Sequence, residues 1–475
     1  MSSHATRRDW IVLATVALVQ LVVVLDGTIV TIALPQAQAD LALSDSERSW
    51  VVTAYALAFG GLLLLGGRLV NYLGLKKAFM IGIVGFAIAS GFGGIVQNGT
   101  ELIIARGLQG VFAALLAPAA LAILTLTFTS GRERNIAFAV FGTVAGVGAA
   151  IGLLLGGLLT EYATWRWCLL INVPIAVLIV VVGSVTLQHS PPDREKPIDG
   201  WGALLVVLGL GAVVFGLTEA EKSWTSPQVI VSLVLGVLLV VAFVITQTRR
   251  ANPLLPLRVV THRVRGTAFS IQAIAGAVMI GSMLYLTLHL QVVLGMKPFE
   301  AGLATLPQTV LIMIVAGVGS RYLEAIGPKP FLVLGPVLTG AGLFWLSFIT
   351  ADGGYATHVL PGLALTGVGM GMVFLPLQNV ALRGVSPHDA GVAGALSTAS
   401  MQIGGSVGLA VWTTVAAGAT GTAMTLDALV DGYSAVFVGS AGLMVLGAVI
   451  ALVALPKHDR AAVAAEEKVM VPTGH

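Results

Sequence analysis

Residues 10–35 read WIVLATVALVQLVVVLDGTIVTIALP. Trp10 to Leu34 is an apolar run long enough to cross a bilayer as a helix, for which about 20 residues suffice. Asp26 lies two thirds of the way along it. An ionised carboxylate at the centre of a membrane helix costs roughly 2.5–3.5 kcal/mol on insertion scales. A chain that keeps one there is expected to use it, most simply to bind a proton or a cation. The competing reading is a structural ion pair that never titrates.

The rest of the chain has the same character. Of its 475 residues 57% are apolar and 10% are charged, against about 25% charged in soluble domains. Apolar runs recur at roughly 10–34, 50–70, 78–97, 101–124, 136–159, 166–187, 201–219, 228–247, 266–293, 301–320, 331–350, 357–380, 392–416 and 433–455. They are continuous, without the period-2 alternation of barrel strands, so they read as helices whose backbone groups are satisfied internally. The fold class is an all-α integral membrane protein with fourteen transmembrane helices. The single cysteine, Cys168, excludes an intramolecular disulfide. There is no Gly-rich phosphate loop followed by Lys and Ser or Thr, and no His-Glu-x-x-His pair, which argues against ATP-driven and metalloprotease chemistry. Basic residues are dispersed over connections rather than clustered on a soluble domain, which argues against nucleic-acid binding. No cofactor or metal is expected.

Charge placement sets the topology. Of the 25 Lys and Arg residues, only Arg48, Arg166, Lys222 and Lys297 fall on one set of connections, and Arg106 falls inside a run. All the others lie on the N-terminal side. By the positive-inside rule both termini are cytoplasmic, as expected of a multi-pass plasma-membrane protein. Trp10 and Trp201 near one set of ends, and Trp50, Trp165, Trp167 and Trp224 near the other, fit interfacial anchors.

A repeat follows the second and the tenth runs. Gly67-Arg68-Leu69-Val70-Asn71-Tyr72-Leu73-Gly74-Leu75-Lys76 matches Ser320-Arg321-Tyr322-Leu323-Glu324-Ala325-Ile326-Gly327-Pro328-Lys329, with Arg, Gly and Lys at the same offsets. Two six-helix halves are therefore expected at 1–189 and 251–456, with an inserted helix pair and its Pro-rich linker at 190–250 and a short cytoplasmic tail at 457–475. Repeated halves around a midplane site are a transporter architecture.

At this point the chain resembles the fourteen-helix drug:proton antiporter family of the major facilitator superfamily. Leu25 to Pro35 resembles the family's first-helix motif and Gly67 to Lys77 the superfamily's inner loop. Ala105-Arg106-Gly107-Leu108-Gln109-Gly110 is similar to its fourth-helix Arg motif, and Gly142 to Gly157 to the antiporters' glycine-rich fifth helix. Trp165-Arg166-Trp167 running into Ile171-Asn172-Val173-Pro174 is also typical. Asn71 stands where the family has Asp, Leu153 where it has Pro, and Thr31 where it has Asn. The resemblance implies a major facilitator fold and export of lipophilic drugs or antibiotics by alternating access. The proton gradient would supply the energy, and small lipophilic molecules, protons and lipid would be the partners of a monomer. Two alternatives are an exporter of an endogenous metabolite or lipid-like molecule, and a non-transporting receptor or assembly partner built on a carrier fold.

Asp26 and Arg106 are the candidates for proton coupling. Their depths below the outer surface, about 12 and 8 Å at 1.5 Å per residue, allow them to meet; the alternative for Arg106 is snorkelling. Gly67, Arg68, Asn71, Gly74, Lys76 and Lys77 form the candidate gating loop, though the positive-inside pattern accounts for the basic members unaided. Gly142, Gly146, Gly148, Gly152, Gly156 and Gly157 are expected to give the fifth helix one smooth face for close packing; the sharper reading is a seam that slides or seals during transport. Gln272, Met279, Met283, Phe374, Gln378, Asn379 and Gln402 are candidates for a substrate cavity, because amides need partners in lipid and Met adapts to varied ligands; helix–helix packing explains them equally well. His289, near an outer end, reads as solvated or hydrogen-bonded to a neighbour.

Overall fold

The computed structural model describes residues 6–129, 131–188, 199–220, 223–250, 253–385, 389–421 and 425–456. Most of the expected linker and the tail 457–475 lie outside these residues. Fourteen helices among them are long and apolar enough to cross a membrane. They are α1 (Arg7–Leu41), α2 (Asp45–Leu73), α3 (Leu75–Gly93), α4 (Gly99–Thr127), α5 (Arg132–Tyr162), α6 (Trp167–Thr186), α7 (Gly200–Glu219), α8 (Pro227–Arg249), α9 (Arg263–Val293), α10 (Pro298–Leu323), α11 (Pro328–Leu346), α12 (Tyr355–Leu382), α13 (Gly391–Thr420) and α14 (Leu426–Ala454). Each overlaps one of the apolar runs, and several run past it. Pro35 does not end α1, which continues to Leu41 and closes with Ala42 in a left-handed conformation at φ 52°. The apolar pattern marks where lipid lies; side-chain caps mark where helices begin. Ser44 and Glu47 form a reciprocal capping box at α2, and Asn98 caps α4.

The helix pairings repeat. In the first six helices α1 packs on α4, α5 and α6, α4 on α2 and α3, and α3 on α6. In the last six, α9 packs on α12, α13 and α14, α12 on α10 and α11, and α11 on α14. The repeat extends to single hydrogen bonds. Gly74 and Gly327, at φ 83° and 81°, make the same sharp link between the second and third helices of their blocks, a conformation that favours glycine. Two residues later, Lys76 Nζ donates to Ser184 O at the end of α6, and Lys329 Nζ donates to Leu455 O just past α14. Arg8 and Arg263, at the starts of α1 and α9, donate to Thr186 O and Val453 O. Cations thus cover the carbonyl ends of both sixth helices, where the helix dipole favours positive charge.

The two blocks meet along two seams, α2 on α13 and α5 on α10. At the end away from the basic connections, hydrogen bonds cross between them: the Ser49 and Thr413 hydroxyls at 2.6 Å, Gln291 Nε2 to Ile32 O at 2.9 Å, and Phe299 N to Glu161 at 3.3 Å. One apolar cluster also runs across this end, from Leu25, Ile29 and Val30 to Leu284, Ala301 and Tyr433. Toward the basic end α5 loosens, and Gly142 faces open space. The inserted hairpin α7–α8 lies along the α2–α13 seam through α7. Buried Asp199 holds it, capping α7 at Gly202 N while accepting from Gln247 Nε2 and pairing with Arg250.

Small residues set the helix spacing, as membrane packing requires. In the α9–α13 pair, a Cβ on Gly276 would collide with the Met401 carbonyl, whereas one on Gly418 would meet nothing. Gly276→Leu is expected to lower stability by about 1–3 kcal/mol through overpacking and Gly418→Leu to leave it unchanged, read as thermal unfolding of the purified protein in detergent.

Candidate functional site

Asp26 is fully buried, at 0% exposure, and Arg106 at 1%. Four helices close around the carboxylate, and each has a local reason to face it. α4 carries Arg106 and Gln109 three residues apart, on one face of the helix. Arg106 Nη1 donates to Asp26 Oδ2 at 2.5 Å and to Gln109 Oε1 at 2.7 Å, while its Nε donates to Val51 O at 3.2 Å. Gln109 Nε2 donates both to Asp26 Oδ1 at 2.8 Å and to Ser90 Oγ of α3 at 2.7 Å. From α6, Asn172 Nδ2 donates to Asp26 Oδ1 at 2.9 Å. From α2, the Tyr55 ring lies 4.5 Å from the Arg106 guanidinium carbon, a cation–π contact, and its hydroxyl donates to Val23 O.

The approach of α6 depends on the Trp165-Arg166-Trp167 turn. Arg166 pairs with Asp40 at the end of α1 and donates to Val96 O, and Trp165 Nε1 donates to the same Asp40 oxygen. A short helical turn, Trp167–Leu170, follows, and α6 restarts at Asn172. That restart turns the amide inward.

The arrangement is an acceptor-only carboxylate with three donors, one of them its counter-ion, sealed from water. In it a proton and Arg106 are alternative partners for the carboxylate: protonating Asp26 removes the charge that Arg106 pairs with.

The other candidates sit as follows. The six glycines of α5 do not share one face. Gly148, Gly152 and Gly156 lie against Leu21, Val24, Leu25, Thr28 and Ile29 of α1, Gly146 and Gly157 against Met313 and Phe299 of α10, and Gly142 against nothing. A spacing of four keeps residues aligned only within each run, and the two-residue step from Gly146 to Gly148 turns the second run through about 200°. In the gating loop, Arg68 donates to Pro253 O, Lys76 to Ser184 O, and Asn71 and Lys77 are exposed. The candidates for a cavity are dispersed. Gln272 is buried with Oε1 unpartnered, and its Nε2 faces Met401 Sδ at 3.8 Å. Met279 and Phe374 pack on the core, Met283 lines a cleft with Ser282, Gln308 and Thr366, Gln402 lies under Gly60, and Gln378 and Asn379 are exposed. His289 is not solvated: it is 1% exposed with Nδ1 unpartnered, because α9 continues past it as a turn of π-helix, His289–Val293.

Sequence reasoning passed over Gln109, Asn172, Ser90 and Tyr55. The first two lay inside motifs already singled out, and an amide in an apolar run was the usable signal. Ser90 and Tyr55 carried none.

The family model for the Major Facilitator Superfamily matches residues 16–409. The chain belongs to that superfamily of membrane transporters. It is 43% identical over 467 residues to the puromycin resistance protein pur8 of Streptomyces alboniger, covering 96% of this chain and 93% of the relative. It is 36% identical over 458 residues to the cephamycin export protein CmcT of Amycolatopsis lactamdurans, covering 94% and 93%. The fold is similar to that of the POT family transporter PepTSo, with TM-score 0.68, 15% identity, and coverage of 99% of this chain and 100% of that one.

Removing one member of a buried ion pair costs about 3–5 kcal/mol, because the other stays charged and unpaired. Arg106→Met and Asp26→Asn should each lower stability on that scale, and the double variant should lose much less than their sum. A double-mutant cycle on unfolding in detergent reads this.

Proposed function

We propose that this chain exports lipophilic drugs or antibiotics in exchange for protons. The observation that carries the reading is the Asp26–Arg106 pair, a buried acid whose counter-ion sits beside it within a transporter fold. The names of the relatives, puromycin resistance and cephamycin export, supply the cargo class. The halves 1–189 and 251–456 rock about a midplane cavity, with 190–250 riding between them and the basic end in the cytoplasm. The protein is a monomer in the plasma membrane with both termini inside, and the inner loop from Gly67 to Lys77 takes part in gating. In the present state the far end is closed by the Ser49–Thr413 and Gln291–Ile32 contacts, so cargo enters from the basic side. Gln272, with its unpartnered carbonyl, is an acceptor available to a cargo donor.

The cycle follows from charge. A proton arriving from outside neutralises Asp26 and frees Arg106 from its pair; cargo binding and proton binding oppose each other, so proton entry drives cargo out. A membrane potential adds about 2.3 kcal/mol per charge per 100 mV, enough to concentrate a substrate. No cofactor enters this scheme.

A second reading has support from the word export in the name of the cephamycin relative: the cargo is a compound made by the host cell. It leaves the mechanism unchanged.

The test is transport in everted vesicles of a panel that includes puromycin, dyes and lipophilic antibiotics. Uptake should rise when an inward-acid pH gradient is imposed and fall at least tenfold in Asp26→Asn. Flux indifferent to the gradient refutes proton exchange for that compound, and absence of flux for all compounds favours a receptor.

A further inference from the structure

The carboxylate site contains one acceptor that the ionised state does not use. Asn172 is 0% exposed, and its Oδ1 has no hydrogen-bond partner. The cause is chemical. An ionised carboxylate only accepts, so Asn172 must turn its NH2 toward Asp26, and its carbonyl then points where no donor reaches it. Buried polar atoms are seldom left so.

A neutral Asp26 reverses the requirement. Its new O–H is a donor that needs an acceptor inside a dry site. The neighbours are otherwise engaged: Gln109 Oε1 accepts from Arg106, Ser90 Oγ accepts from Gln109, Val51 O accepts from Arg106, and Val23 O accepts from Tyr55. Among the charged and titratable groups near the acid, Arg106 comes from α4, Tyr55 from α2 and Cys168 from α6, with Cys168 already bonded to Thr160. α3 offers only the Ser90 hydroxyl, and α5 presents glycines to this stretch of α1. Asn172 Oδ1 is the acceptor left over.

We propose that Asn172 is the positioning residue that reads the protonation of Asp26: its amide donates to the carboxylate and, after a half-turn about χ2, accepts the O–H of the acid. The amide is nearly symmetric in shape and its last torsion is broad, so the turn needs no backbone movement. Arg106 keeps Gln109, Val51 and the Tyr55 ring in both states. Each charge state of the acid is thus matched to one orientation of one side chain. This rests on the proton-exchange reading given above.

The test is pH-induced infrared difference spectroscopy on the purified full-length protein in lipid. Wild type should show a carboxylic-acid C=O band that is absent in Asp26→Asn. With [13C]asparagine, an amide C=O band should shift to lower frequency in step with it, as its oxygen gains a hydrogen bond, and this shift too should vanish in Asp26→Asn. Asn172→Leu should abolish the amide shift and move the acid band to higher frequency. An acid band with no accompanying asparagine shift in wild type, or one unmoved in Asn172→Leu, overturns the role of Asn172 alone. The wild-type isotope measurement stands even if the leucine variant fails to fold. Absence of any Asp26-dependent acid band overturns the proton reading together with it.

Discussion

The ion pair between Asp26 and Arg106 is the constraint around which the first half is organised. Two opposite charges removed from water are tolerated only when their remaining hydrogen-bonding capacity is met. Meeting it draws residues of α2, α3, α4 and α6 toward α1: Val51 and Tyr55, Ser90, Gln109, and Asn172. The interhelical amide and guanidinium bonds fix how far these helices stand apart and how each is rotated. The same convergence ties the site to one charge, since removing it takes away what Arg106 pairs with and what Gln109 and Asn172 donate to.

The architecture of the chain was largely legible in its sequence. Hydrocarbon thickness dictates run length, so the fourteen helices follow from hydropathy alone. The offsets of Arg, Gly and Lys after the second and tenth runs announced the repeat, and Gly74 with Gly327, and Lys76 with Lys329, occupy matching places in the two blocks. Asp26 and Arg106 were legible as a pair because charges in lipid seek each other. Helix ends were less so: Pro35 reads as a boundary yet lies within α1, since a proline in lipid is tolerated where neighbouring helices support it.

What was not legible depended on rotation about helix axes. Spacing gives periodicity but not which neighbour a face meets. The α5 glycines therefore looked like one strip and divide between α1 and α10. The amides and thioethers of the second half fitted a cavity and helix packing equally, because polarity alone does not distinguish a face turned to a cavity from one turned to another helix. His289 was misjudged because a turn of π-helix is invisible to hydropathy. Gln109 and Asn172 were within view, but their convergence on one carboxylate requires three dimensions.

The inserted pair has an effect on symmetry. α7 lies against both α2 and α13, so one joint between the pseudo-equivalent halves is shuttered by an extra helix, while α5 and α10 form the other without such a cover. A carrier built this way presents unequal flanks to the bilayer. Seen from among the acyl chains, one joint between the halves is backed by the inserted helix and the other is formed by α5 and α10 alone among the described residues.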